Sequence, residues 1–305
     1  MTRFVVRRVL WLLLVLLIIS IVTFLLMHLV PGGPWARAKP LAPAVVAALN
    51  AKYGLDKPLY IQYAKFLWGI LHGDLGISYI YQDRSVTQIL MQGLPKSAIL
   101  GATAFIFALI VGISLGMAAA LRQNTWLDYV CVLFSTIFAS VPGFVLGILL
   151  IIVFAVGLHW LPAGGWGTPS DVVLPAIALA ALPAAFIARI TRASTLETMR
   201  QDYVRTARSK GLLERVVLIR HILRNALIPV VTISGPEFAA LVTGSVIVET
   251  IFSIPGIGRL FVQAVFARDY GLIMGTTLFY AFIISLANLV VDILYGVIDP
   301  RIRYD

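Results

Sequence analysis

The sequence predicts an all-α integral membrane protein that crosses the bilayer as six transmembrane helices, and three observations carry that prediction. Of 305 residues, 60% are hydrophobic and only 12% charged, with a mean hydropathy of +0.95, so lipid must cover much of the surface. Apolar runs of about 20 residues, enough to cross the hydrocarbon core, recur along the chain. Lys and Arg gather between those runs and not along one polar face, so the net charge of +10 reads as membrane topology and not as a nucleic-acid surface.

The first span is Val9–Val30, entered directly after Arg3, Arg7 and Arg8. Ala36-Arg37-Ala38 resembles a leader cleavage site, but the apolar run exceeds the roughly 7–15 residues of a leader core, so a retained span is expected. In the connection Pro31–Lys96, Leu59, Tyr63, Phe66, Leu67, Ile70 and Leu71 recur at helical spacing between Pro58 and Gly73. That amphipathic helix lies on the membrane surface or packs on the bundle, and the pattern leaves both open. A boundary near Leu94-Pro95 divides an N-terminal anchor with its long connection (1–94) from a five-helix core (95–305). The core spans are Ala98–Leu121, Tyr129–Leu158, Asp171–Ile190, Leu227–Phe252 and Leu272–Ile298. Pro142-Gly143 and Pro183 each remove a backbone donor, so kinks are expected there, as rocking points or as plain packing features. Cys131, the only cysteine, leaves no intrachain disulfide or CxxC site and reads as a small buried hydrophobe.

Orientation follows from the basic residues in short loops. Three precede the first span, Arg122 follows the second, nine lie in Arg189–Arg224, and Arg301 and Arg303 end the chain. The alternate loops are poorer, with none in His159–Ser170 and only Arg259 and Arg268 in Ser253–Gly271. Both termini and the basic loop at about 192–225 are therefore expected in the cytoplasm. Pro31–Lys96 carries seven basic residues, but it exceeds the length of about 60 residues within which the rule holds.

The basic loop reads Arg192-Ala-Ser-Thr-Leu-Glu197-Thr-Met-Arg200-Gln-Asp-Tyr203-Val-Arg205-Thr206-Ala207-Arg-Ser-Lys210-Gly211 and continues to Pro229. Helix-forming content on both sides of Gly211, a residue without a Cβ, predicts two short helices at an angle, a shape that docks a partner. The plainer alternative is a topogenic loop touching anionic headgroups.

At these residues the chain resembles the inner-membrane permease subunits of ABC importers, whose loop motif is Glu-Ala-Ala, three residues, Gly. Ala207 and Gly211 match that form, and Arg224 stands where many members carry a later proline. The Tyr203–Gly211 version is similar to the branch importing oligopeptides, dipeptides, glutathione or nickel. Val30-Pro31-Gly32-Gly33-Pro34, Gly73-Asp74-Leu75-Gly76, Ala188–Arg192, Glu249-Thr250-Ile251-Phe252, Pro255-Gly256-Ile257-Gly258 and Asp299–Tyr304 agree with it. His159–Trp166 resembles most the B-type permease of oligopeptide importers. The resemblance implies a type I ABC importer permease fold in the bacterial cytoplasmic (inner) membrane. It implies a second homologous permease, two cytoplasmic ABC ATPases carrying ATP and magnesium, an extracytoplasmic binding protein and a peptide substrate moved by alternating access. Tyr203, Arg205, Thr206, Ala207, Lys210 and Gly211 would then form the ATPase-coupling loop.

The chain itself has no GxxxxGK[ST] phosphate loop, no GxSxG elbow and no HExxH, and His28, His72, His159 and His221 are scattered. No cofactor, metal or hydrolytic centre is expected in it. Acids within spans are costly, so Glu237 and Glu249, with Thr243 and Ser245 between them, are candidates for lining a pathway, and Asp292 less so. Structural hydrogen bonding and hydroxyls satisfying their own backbone are the competing readings. Two other classes remain: an ion-coupled secondary transporter, with midplane acids and broken helices, and a non-transporting membrane scaffold.

Overall fold

The computed structural model describes residues 2–35, 41–81 and 84–298, with side chains described for those from 6 to 290. Ala36-Arg37-Ala38, the Asp299–Tyr304 ending and the Asp292 side chain lie outside what is described. Helix α1 (Thr2–Leu29) leads into α2 (Pro43–Tyr53) and α3 (Leu59–Leu71), followed by α4 (Val86–Leu121), α5 (Trp126–Ser140), α6 (Gly143–Leu150) and α7 (Val173–Met199). The basic loop holds α8 (Asp202–Ser209), α9 (Glu214–Val216) and α10 (Arg224–Ala226), with a π segment at Val217–Leu223. Then come α11 (Ile228–Val242), α12 (Val246–Ile251), α13 (Ile257–Ala267) and α14 (Tyr270–Ile298).

Among the described residues, five stretches are helical, long and apolar enough to cross a membrane: Val6–Leu29, Val86–Leu121, Pro169–Met199, Ile228–Ile251 and Tyr270–Val290. The expected third span is instead a broken pair, Trp126–Ser140 and Gly143–Gly157, bent by 104°. Val141, which precedes Pro142, takes an extended backbone (ψ 120°), because the proline ring crowds the helical conformation of its predecessor. At Pro183, by contrast, α7 runs through without interruption. Helix α4 starts twelve residues before the expected Ala98 and includes Leu94-Pro95. At 1.5 Å per residue it is roughly 54 Å long, well beyond the hydrocarbon core, so its first turns project from the span. Ser85 caps it by accepting the Gln88 N–H at 3.1 Å.

Small residues decide which helices meet. Ala104, Ala108, Gly112 and Gly116 recur every four residues on α4 and face the alanine-rich side of α7. A Cβ on Gly112 would stand 2.7 Å from Ile187 Cγ2, and one on Gly116 would stand 2.5 Å from the Ala188 carbonyl. Between helices in lipid there is little hydrophobic drive, so this close approach is the main source of attraction. Because late α4 meets late α7, the two run parallel. The long connection at the start of α4 and the basic loop after α7 therefore occupy opposite ends of the bundle.

At the end carrying the connection, α3 turns one face inward. Tyr63 and Phe66 pack with Phe24, Met27, Tyr270 and Met274, joining the ends of α1 and α14. The Tyr63 hydroxyl and Ser20 Oγ lie 2.7 Å apart. The opposite face leaves Tyr60, Trp68 and Leu71 exposed. The helix thus packs on the bundle by one face and leaves the other face exposed. Asp269 ties the corner before α14: its fully buried carboxylate accepts from Ser78 Oγ, the Tyr79 N–H at 3.1 Å, the Ile80 N–H at 3.3 Å and the Leu272 N–H at 3.0 Å.

Candidate functional site

The basic loop folds as a helix, a left-handed turn and a second helical rod. Asp202 in the first turn of α8 and Arg208 in its last both suit the helix dipole. Gly211 has φ +74°, a conformation that costs any L-residue with a Cβ about 1–2 kcal/mol. Arg208 clamps the turn from outside, donating to Glu214 at 2.6 and 3.2 Å. These bonds hold the Glu214 carboxyl below its usual range. Beneath the turn, Val204, Ala207, Val217 and Ile222 form a small core with Met199 and Leu218.

Ala207 therefore faces inward, and its part in the loop is to let the two helices approach. Arg205, Thr206, Lys210 and Gly211 are exposed. Tyr203 is 41% exposed, and its hydroxyl accepts from Asn225 Nδ2 at 2.9 Å. Leu212 and Leu213 went unremarked in the sequence because apolar pairs are commonplace, yet Leu213 at the apex is 76% exposed. An apolar tip ringed by basic residues outside the spans is the surface a partner would cover.

A second feature missed in the sequence joins this loop to the bundle. Arg192, at the stem of the loop, donates to both carboxylate oxygens of Asp128 at 2.8 Å, and Asp128 also accepts the Asn124 N–H at 3.0 Å. The Asp128 side chain is 3% exposed and that of Arg192 30%. An acid at the head of one apolar run, with an arginine at the tail of the next, was the legible signal. The pair pins α5 to the helix that carries the loop.

Of the expected pathway residues, Glu249 is fully buried and takes the structural alternative. Its carboxylate accepts from Ser97 Oγ at 2.7 Å and from the Arg259 N–H at 3.1 Å, and Ser97 Oγ in turn accepts the Ile257 N–H at 2.9 Å. This network holds α12 and the start of α13 onto α4. Thr243 donates to the Ala239 and Ala240 carbonyls at 3.1 and 2.9 Å, and Ser245 caps α12 by accepting the Val248 N–H at 3.2 Å, so both hydroxyls serve their own backbone. Gly244 between them, with φ +95°, breaks the span where the carboxylate needs room. Glu237 alone is half-buried on the helix face, beside Phe238. Among the described residues no group of three or more His, Cys, Asp and Glu is placed to hold a metal ion.

Comparison with known proteins agrees with this architecture. Residues 112–304 match the family described as the binding-protein-dependent transport system inner membrane component, and residues 1–101 match its N-terminal counterpart. The oligopeptide transport system permease protein OppB of Escherichia coli K12 is 44% identical over 306 residues, covering 100% of both chains. The dipeptide transport system permease protein DppB of Bacillus subtilis is 44% identical over 99% of this chain and 98% of its own. Among solved structures, the MetNI methionine ABC transporter in inward-facing conformations aligns with a TM-score of 0.58 at 18% identity, over 70% of this chain and 97% of its own. An amino acid ABC transporter with histidines gives 0.53 at 18% identity, over 71% and 95%. These two likenesses concern the fold.

Proposed function

The chain belongs to the family of binding-protein-dependent transport system inner membrane components, and from that membership we propose that it is the permease subunit of a peptide importer in the bacterial inner membrane. The observation that carries the reading is end-to-end identity of 44% with an oligopeptide permease. The equal identity to a dipeptide permease keeps short peptides as the second reading.

We place the termini and basic loop in the cytoplasm, which the charge count supports. Two cytoplasmic ATPases, carrying ATP and magnesium, would act on this loop, a second homologous permease would complete the pathway, and an extracytoplasmic binding protein would deliver the peptide. In this account Tyr203, Arg205, Thr206, Lys210 and Gly211 form the docking surface, Leu213 enters the ATPase groove, and Ala207 keeps the two loop helices together. Arg192 and Asp128 pass movement of the loop to α5 and α7. Glu237 is the residue we assign to the pathway wall. The two-part division near residue 94 is retained as a division of roles: residues 1–94 anchor, and residues 95–305 transport and couple.

Proteoliposomes containing this chain with its partner permease, ATPases and binding protein test the reading. Labelled oligopeptide should enter only with ATP, and Leu213→Asp should lower uptake about tenfold or more while leaving peptide capture by the binding protein intact. Uptake by this chain alone under an ion gradient would establish a secondary transporter instead. Uptake confined to dipeptides would select the second reading.

A further inference from the structure

The connection between α1 and α4 builds a cleft of about 330 Å3 against the ends of two spans. Its floor is apolar, made by Phe24 and Met27 on α1, Phe66 on α3 and Met274 on α14. Its rim is basic, with Lys52, Lys57 and Lys65. The cleft shares His28, Leu55, Lys57, Gln62 and Tyr270 with a wider hollow of about 870 Å3.

The depth of this cleft follows from where the spans end. Residues 24–28 close the apolar helix Val6–Leu29, and residues 270–274 open Tyr270–Val290. Both therefore stand where hydrocarbon gives way to headgroups, and the three lysines line the same cleft beside them. Among the described residues none of the three lysines belongs to an ion pair, although Lys52 lies over the Tyr53 ring at 5.5 Å. The one acid lining the cleft, Asp74, has an oxygen engaged by the Gly76 N–H at 2.9 Å.

The lysine-bearing turn is held in place. Gln62 Nε2 donates to the Leu55 and Lys57 carbonyls at 3.2 and 2.7 Å, and Trp35 Nε1 donates to Asn50 Oδ1 at 2.8 Å. Alongside, the exposed Tyr60, Trp68 and Leu71 of α3 are residue types that settle at a membrane interface.

We propose that this cleft holds one anionic phospholipid, its phosphate among Lys52, Lys57 and Lys65 and its acyl chain on Phe24, Met27, Phe66 and Met274. A zwitterionic lipid offers the apolar match without the net charge, and a free carboxylate or phosphate offers the charge without the apolar match. Only an amphipathic anion meets both at this depth. Such a lipid braces the connection against α1 and α14 from the leaflet at this end. The inference does not depend on which solute is transported.

The complete transporter, purified in nanodiscs containing equal phosphatidylglycerol and phosphatidylcholine, provides the test, with retained lipid read by native mass spectrometry. Wild type should retain phosphatidylglycerol at least fivefold over phosphatidylcholine, with the preference falling as salt rises. Replacing all three lysines by Gln should abolish the preference, and replacing them by Arg should keep it. Ile61→Trp, which narrows the cleft without changing charge, should also abolish it, and it decides the matter if the Gln variant fails to assemble. Inorganic phosphate in excess should not displace the lipid. Equal retention of both lipids by wild type, an unchanged preference in the Ile61→Trp and Gln variants, displacement by phosphate, or recovery of peptide in place of lipid would each overturn the proposal.

Discussion

The two ends of the bundle use a carboxylate in opposite ways. At the connection end Asp269 is fully buried and accepts from one hydroxyl and three backbone N–H groups drawn from the 78–80 turn and from α14. At the basic-loop end Glu214 is 66% exposed and accepts from Arg208 alone. A buried acceptor with several donors cannot be withdrawn without stranding them, so the first end is rigid. An exposed ion pair is worth little and reforms readily, so the second end can be reshaped by a partner at small cost. Between these extremes stands the Asp128–Arg192 pair, whose aspartate side chain is 3% exposed and whose arginine side chain is 30% exposed.

Three substitutions test this difference between the two ends. Asp269→Ala should have the largest effect, destabilising the connection by about 3 kcal/mol or more because Ser78, Tyr79, Ile80 and Leu272 lose a common acceptor. Limited proteolysis of residues 41–81 in the purified transporter would read it, and unchanged protection would remove the claim of rigidity. Asp128→Ala leaves Arg192 unpartnered in a partly exposed place, with an expected loss of about 1–3 kcal/mol. If Arg192 and Asp128 transmit movement, ATP hydrolysis should persist in this variant while uptake falls, and a parallel fall of both would show a merely structural pair. Glu214→Gln should cost less than about 0.5 kcal/mol at neutral pH. The sign of its pH dependence is defined: Arg208 lowers the folded carboxyl below its unfolded value, so the contribution is complete above the ordinary carboxylate range and vanishes as pH falls through the lowered value. Wild type and variant should therefore differ slightly in loop proteolysis at neutral pH and converge in acid.

The basic loop was readable from the chain because its signals are local. Gly211 between two helix-forming stretches predicts the turn, and the charge predicts a position outside the spans. The inward direction of Ala207 was not readable, because it depends on Val217 and Ile222 returning to meet it through a π segment. Asp269 was legible in principle, as an acid placed before the apolar run of α14 in the manner of a helix cap. Its grip on Ser78 was not, since those residues are 191 positions apart. The same distance in sequence explains Glu249, whose cost in a span marks it as special while its partner Ser97 lies 152 positions away.

Composition and periodicity by themselves determined that the chain is helical, that lipid surrounds it, where most spans lie and which loop carries the positive charge. These follow from the transfer cost of each short segment, which no distant residue can reverse. Pro142 marks the break in the third span, but tertiary structure alone decided its 104° size, that small residues bring α4 against α7, and that Glu249 closes a network inside the protein. Those outcomes depend on which faces meet, and in lipid the choice of faces rests on close fit and paired polar groups and not on hydrophobicity.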